Sequence, residues 1–283
     1  MQPIRFATYL APNIYDTYAC IARYIGETIG QPTTLIVGQS FNQIAQGQVD
    51  IAFMCGLPYA TLAESPDCPF ELLAAPVLRG ERYQHRPIYF SDVIARCNSP
   101  YTCFENLRGC AWAFNQRESH SGWNIVVYSL LEQGKTPDFF GQLIETGSHL
   151  HSIARVLAGQ ADATAIDSHV LDVFLAQNPT TAAALRTIAM LGPSSIPPVV
   201  IAKSVDKTLK RTIQEALLTM HEDPRAASAL CAGAIERFVP VRDEDYQDIR
   251  IMRDRSRSYL DTRKLPTVKF PVPCYSYNEN KKR

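Results

Sequence analysis

No charge of either sign predominates in this sequence: 28 Lys and Arg stand against 28 Asp and Glu in 283 residues. A neutral balance excludes the electrostatic footprint of a nucleic-acid or anionic-membrane binder. The short basic end Lys281-Lys282-Arg283 reads as a solvated terminus. Long apolar runs are also missing, so no membrane-spanning helix is expected. The N-terminus shows no basic stretch followed by an apolar one and a small-residue cleavage site, and strand-like sequence begins at Ile4. Two compartments stay open on that reading: the cytosol, or the periplasm if an export signal has been removed. None of the eight cysteines forms a C-x-x-C pair, and no His-rich segment follows them, so neither a zinc site nor any other metal or cofactor is expected. The cysteines read as small buried hydrophobes; a Cys97–Cys103 or Cys103–Cys110 bridge would need an oxidising compartment. A G-x-S-x-G elbow is absent, and no carboxylate pair or His/Cys/Asp cluster stands at active-site spacing.

What the chain does have is alternation of strand and helix patterns. Ile4 to Leu10 reads as a strand. Tyr18, Ile21, Ile25 and Ile29 recur at helical spacing and Gly30 closes the helix. Thr33 to Val37 is β-rich, Ser40 to Ile44 a short capped helix, and Val49 to Met54 a buried strand. Further on, Arg86 to Arg96, Gly109 to Asn115, Leu143 to Thr146 and Ala161 to Ile166 read as strands. Helices are expected from Trp123 to Leu131, around Ile153 to Leu157, over Ser168 to Gln177 and on the Val205-Leu209-Ile213-Leu217 stripe. Two more should start near Pro224 and Asp243. This is an α/β fold.

Gly47-Gln48-Val49-Asp50-Ile51-Ala52 echoes Gly159-Gln160-Ala161-Asp162-Ala163-Thr164, each after a short helix and opening an apolar strand. The echo suggests two lobes of similar build. The expected division is 1–95 plus 196–260 for the first lobe and an inserted 96–195 for the second. The chain would cross twice, near 92–98 and 190–198, the second crossing being Pro-rich. Residues 261–283 read as an extended tail.

The sharpest local feature is Glu118-Ser119-His120-Ser121-Gly122, between a strand and a strong helix. Hydroxyls and N–H groups at a helix N-terminus make an anion site, and a glycine there lets a ligand approach the backbone. The alternative for Ser119 and Ser121 is plain N-capping. His120 in this run would donate to an anion and titrate near neutrality. Tyr89 and Ser91 alternate on one strand face and are expected to face the same cleft. Asp167 is either a helix cap or a partner for a cationic group.

These residues resemble the phosphate/phosphite/phosphonate-binding family of ABC-transporter receptors, which carries a Ser-Thr-Ser-Gly-like run at this place. Ser119, Ser121 and Gly122 match it, and His120 replaces the threonine. Ile88-Tyr89-Phe90-Ser91 is similar to the family's crossing strand, and Gly147-Ser148-His149 to its Gly-His-Glu region. The resemblance implies His149 as a ligand contact, and Tyr59, a few residues past the place of the family's aromatic contact after the third strand, as another. The acidic residue that meets a ligand ammonium in aminophosphonate binders is replaced by Leu150. The resemblance implies a two-lobed, Venus-flytrap fold of the type 2 periplasmic-binding-protein kind. It implies a small anionic ligand in the interlobe cleft and an ABC permease as partner. The competing readings are a cytosolic enzyme on the same fold, acting on a carboxylated or pyrimidine-like substrate, and a ligand-sensing domain.

Overall fold

A computed structural model describes residues 2–260 and 268–269. The strands are β1 (Ile4–Thr8), β2 (Thr33–Val37), β3 (Ile51–Phe53), β4 (Phe70–Leu78), β5 (Ile88–Arg96) and β6 (Ala111–Phe114). They continue with β7 (Gln142–Glu145), β8 (Ala163–Asp167), β9 (Leu185–Ser195), β10 (Val199–Ala202), β11 (Ile235–Val239) and β12 (Val268–Lys269). They form two six-stranded sheets, in the orders β11-β4-β10-β3-β1-β2 and β12-β7-β6-β8-β5-β9. In each, parallel strands (β2-β1-β3, β7-β6-β8) meet an antiparallel return strand, β10 in the first and β5 in the second. The matching halves are the structural counterpart of the G-x-x-D echo.

Ten helices flank the sheets among the described residues: α1 (Tyr15–Ile29), α2 (Asn42–Ala45), α3 (Gly56–Leu62), α4 (Ile125–Glu132), α5 (His149–Leu157), α6 (Ser168–Gln177), α7 (Pro179–Ala182), α8 (Lys207–Thr219), α9 (Pro224–Ala232) and α10 (Gln247–Leu260). The buried faces of α1 (Tyr18, Ile21, Ile25) and α8 (Ile213, Leu217) pack on the first sheet's core. Gly30, at φ 69°, ends α1 in the left-handed conformation that favours glycine. In the second lobe Trp112 stacks on Phe140 at 4.5 Å, and Phe114 packs on Trp123 at 4.4 Å. Both tryptophans are therefore core residues.

The first crossing differs from the expectation. β5, placed by the sequence reading largely in the first lobe, belongs to the second sheet, where Ser91 pairs with Asp167 and Ala95 with Ala163. The chain changes lobes between Leu78 and Ile88, because β5 supplies the return strand for β8 and β9. It goes back between Ser195 and Val199. Strand β4 escaped the sequence reading: its Glu71, Ala74, Ala75 and Pro76 are poor strand formers, but it is sandwiched between β10 and β11. Most of the expected tail lies outside the described residues; Val268–Lys269 add a parallel edge strand beside Ile144 and Glu145.

Two sets of contacts tie the lobes together. On one rim the Asn13 side-chain amide donates to the Val170 carbonyl at 3.0 Å, and His169 Nε2 lies 2.6 Å from the Gly233 carbonyl. On the other, α10 packs against α3 of the first lobe and α4 of the second. There the Ser256 hydroxyl donates to the Asn124 carbonyl at 3.2 Å.

Candidate functional site

The carboxyl ends of parallel strands from both sheets open onto one cavity of about 240 Å³. Tyr9 follows β1, Cys55 follows β3, Asn115 follows β6, Gly147 and Ser148 follow β7, and Asp167 ends β8. Such strand ends are where open α/β sheets bind ligands, because the following helices turn their N-termini, with unpaired N–H groups, towards that edge. The π-type turn that leads into α4, and helices α5 and α6, all start here, capped by Ser119, Ser148 and Asp167. No lysine or arginine lines this cavity among the described residues, whereas the carboxylates of Glu118 and Asp167 do.

The run at Ser119 is built as a capped, widened turn. The Ser119 hydroxyl accepts from the Gly122 N–H at 3.1 Å, and the Asn124 N–H reaches five residues back to the Ser119 carbonyl at 3.0 Å. This π-type turn over His120–Asn124 leads into α4. Ser119 is thus a cap and also a wall residue of the cavity. Gly122 has a packing reason of its own: a Cβ there would fall 1.9 Å from Asn115 Oδ1, so the Asn115 side chain makes a close approach.

Ser121 and His149 meet across the cavity wall. The Ser121 hydroxyl lies 3.2 Å and the Asn115 amide nitrogen 3.4 Å from His149 Nε2. Both neighbours are able to donate to that nitrogen, which leaves the ring proton on Nδ1. Burial pushes His149 down to about 4, so the ring is neutral. His149 Nδ1 and Asn115 Oδ1 are buried without a partner, and so is the phenolic oxygen of Tyr89. Tyr89 sits behind the wall, where its hydroxyl senses Cys55, Asp167 and Ser121. Two unmet hydrogen-bonding groups on residues that line one cavity, His149 Nδ1 and Asn115 Oδ1, are rare in a folded interior, and a bound ligand would answer them.

Asp167 caps α6, accepting from the N–H groups of His169 at 2.8 Å and Val170 at 3.3 Å. Burial, the larger effect, nonetheless pushes its carboxyl up to about 7. Its proton is therefore in play near neutrality, where it either donates to an oxyanion or, once lost, faces a cation.

Ser119, Ser121, His149 and Asp167 line the cavity together; the other five candidates do not. His120, expected to meet an anion and to titrate near neutrality, is fully buried behind the turn. Its Nδ1 lies 3.1 Å from the Asn124 amide and its Nε2 2.9 Å from the Ser194 hydroxyl. Burial holds it down to about 3, so it is a neutral strut between α4's first turn and β9. Ser91 also braces the turn, donating to the Ser121 carbonyl at 2.5 Å. Gly122 and Tyr89 lie behind the wall, and Tyr59 lies in the first-lobe core. There its hydroxyl donates to Asp243 at 2.7 Å and its ring packs 4.6 Å from Tyr246. Cys55 and Pro58, at the start of α3, take the cavity-facing place instead. Sequence reasoning missed Tyr9, Tyr18, Asn115 and His169 as wall residues. Asn115 carried a signal: it ends an apolar strand directly before the serine run. The seven described cysteines are unpaired thiols, and no group of three His, Cys, Asp or Glu among the described residues is placed to hold a metal. No helix among the described residues is long and apolar enough to cross a membrane.

Known proteins share this fold. The binding-protein component of an ABC phosphonate transporter from Pseudomonas aeruginosa superposes with TM-score 0.76 at 18% identity, over 93% of this chain and 90% of that one. PhnD1 from Prochlorococcus marinus, in complex with methylphosphonate, gives TM-score 0.76 at 15% identity, over 92% and 98%. A Xanthomonas citri protein bound to ATP gives TM-score 0.68 at 16% identity, over 92% and 100%. At these identities the likenesses establish the two-lobed binding-protein fold. Residues 6–246 match the family model described as ABC transporter, phosphonate, periplasmic substrate-binding protein. On that match, the chain belongs to the family of periplasmic phosphonate substrate-binding proteins of ABC transporters.

Proposed function

We propose that the protein captures a small phosphorus oxyanion of the phosphonate class in the interlobe cavity and presents it, unchanged, to an ABC permease. The observation that carries this reading is the pair of unmet polar groups on residues that line one cavity, His149 Nδ1 and Asn115 Oδ1, beside the starts of α5, of α6 and of the π-type turn that leads into α4. The wall offers neutral donors rather than fixed cations: the Ser121 hydroxyl, a neutral His149 and the Asp167 carboxyl when protonated. Donors of this kind bind an oxyanion by hydrogen bonds that are strengthened by its charge. Methylphosphonate, held by the Prochlorococcus marinus protein, is small enough for a cavity of about 240 Å³. Leu150 packs against the core, so an amine on the ligand would have to meet Asp167 or Glu118.

A thermal-shift panel at fixed ionic strength tests the reading, with phosphate, phosphite, methylphosphonate, 2-aminoethylphosphonate, sulfate and aromatic carboxylates. A true ligand at about 100 times its Kd adds roughly 2.7 kcal/mol of stability, several degrees in Tm. The expected result is a shift with a phosphonate that Ser121→Ala with His149→Ala abolishes. No shift with any phosphorus compound would overturn the reading and turn attention to carboxylates and the enzyme alternative.

A further inference from the structure

Beside the polar cavity lies a second one of about 400 Å³, and the two share Phe41, Pro58 and Glu118 as a common wall. The second cavity has a different character. Leu57 and Leu62 from α3, Trp123 ahead of α4 and Leu260 at the end of α10 give it mainly apolar sides drawn from both lobes. Three arginines stand at it, two of them already engaged. Arg117 lies over the Trp123 ring at 5.2 Å, and Arg253 pairs with Glu64 at 2.9 Å and Asp254 at 2.8 Å. Arg257 is exposed. The shared wall contains adjustable parts: Glu118 is an exposed side chain on a loop, and the Phe41 ring is only half-buried. No part of the oxyanion site needs the second cavity, and mostly apolar walls do not hold a free phosphonate head.

Resting on the function proposed above, we propose that this cavity is a tail subsite: the protein accepts phosphonates whose phosphorus carries an extended aliphatic or aromatic group. The head occupies the Ser121–His149 cavity, and the substituent passes the Phe41–Pro58–Glu118 wall to lie between Leu57, Leu62 and Trp123. The position of the two cavities on either side of one shared wall argues for one bipartite ligand rather than two separate ones. The arginines argue against a tail that ends in an ammonium group.

The test is a calorimetric titration series on the intact protein with methyl-, propyl-, butyl-, hexyl- and phenylphosphonate. Once the chain clears the wall, affinity should rise up to about fourfold per methylene, the increment expected for burying apolar surface. Hexylphosphonate should displace methylphosphonate one for one. Thr61→Trp, at an exposed position of the second cavity, should cancel the gain with length and leave methylphosphonate affinity unchanged. Leu260→Ala should blunt the same gain by stripping one wall, which keeps the test open if the tryptophan variant does not fold. Affinity that falls with chain length while methylphosphonate still binds would overturn the tail subsite alone. Hexylphosphonate binding alongside methylphosphonate, at two ligands per chain, would also overturn it. If no member binds, including methylphosphonate, the fault lies with the parent reading.

Discussion

Asp167 is where a single proton matters most. In the unfolded chain it titrates near 3.8, whereas burial in the fold pushes it up to about 7. Below the lower value both states hold the proton. Between the two, the unfolded chain releases it while the folded one keeps it, so stability falls as pH rises, by at most about 1.4 kcal/mol per pH unit. Above about 7 the loss is complete and constant. Asn at this position keeps an acceptor for the His169 and Val170 N–H groups but cannot ionise. The Tm advantage of Asp167→Asn over the parent should therefore widen from pH 4 to pH 7 and then level off; a gap independent of pH would remove Asp167 from the account. The same proton should steer binding. An anion favours the protonated carboxyl, so phosphonate affinity should fall as pH climbs past 7, and the fall should vanish in Asp167→Asn. On the proposed reading, His149 and Ser121 act on the ligand by hydrogen bonding alone. Each alanine variant should weaken methylphosphonate by about tenfold or more, the usual worth of a bond to a charged group, read by calorimetry at constant pH.

At the scale of elements, the turn from Ser119 to Asn124 owes its shape to neighbours on other segments. Ser91 holds it from β5, His120 ties it to Ser194 of β9, and Asn115 fills the space over Gly122. Gly122→Ala would drive its methyl into the Asn115 side chain, at a cost of about 1–3 kcal/mol. Removing that side chain in the double variant Asn115→Ala, Gly122→Ala should recover most of the stability, because the next contact, Ser119 Oγ at 3.3 Å, is tolerable. It should not recover ligand affinity, since Asn115 positions His149. If the double variant is no more stable than Gly122→Ala, the clash is elsewhere. This dependence also marks how far the sequence could be read. Helix periodicity and the G-x-x-D echo are local signals, and they located α1, α8 and the two parallel half-sheets. The serine run at a helix start was legible for the same reason. What burial decides was not legible: nothing in the composition of Ser119-His120-Ser121 says that the serines reach the cavity while the histidine turns inward. Strand β4 was hidden because Glu71, Ala74, Ala75 and Pro76 interrupt its strand-favouring residues, and it is held by pairing on both edges. Tyr59 was misplaced because the phase of α3 depends on where that helix begins, at Gly56, and that start carries no side-chain cap.

For the whole molecule, the question is what holds two lobes together around a ligand. The Asn13–Val170 and His169–Gly233 bonds close one rim of the cleft, and α10 spans the other. His169 also lines the cavity, so its replacement would mix two effects; Asn13 does not line it and is the cleaner probe. Asn13→Ala removes the bond to the Val170 carbonyl. A neutral hydrogen bond of this kind is worth about 1 kcal/mol, which shifts the closed-to-open ratio about fivefold towards open. Two results are expected. The ligand should dissociate faster, and its apparent Kd should rise by no more than about fivefold, the bound population being taxed by the fraction open. In small-angle scattering the unliganded variant should be more expanded than the parent, while the saturated forms superpose, because the closed geometry itself is unchanged. A variant that loses Tm but keeps both its affinity and its unliganded radius of gyration would show that Asn13 stabilises its own lobe and has no part in closure. The rim bonds would then be consequences of closure, which would be governed by the ligand and α10 alone.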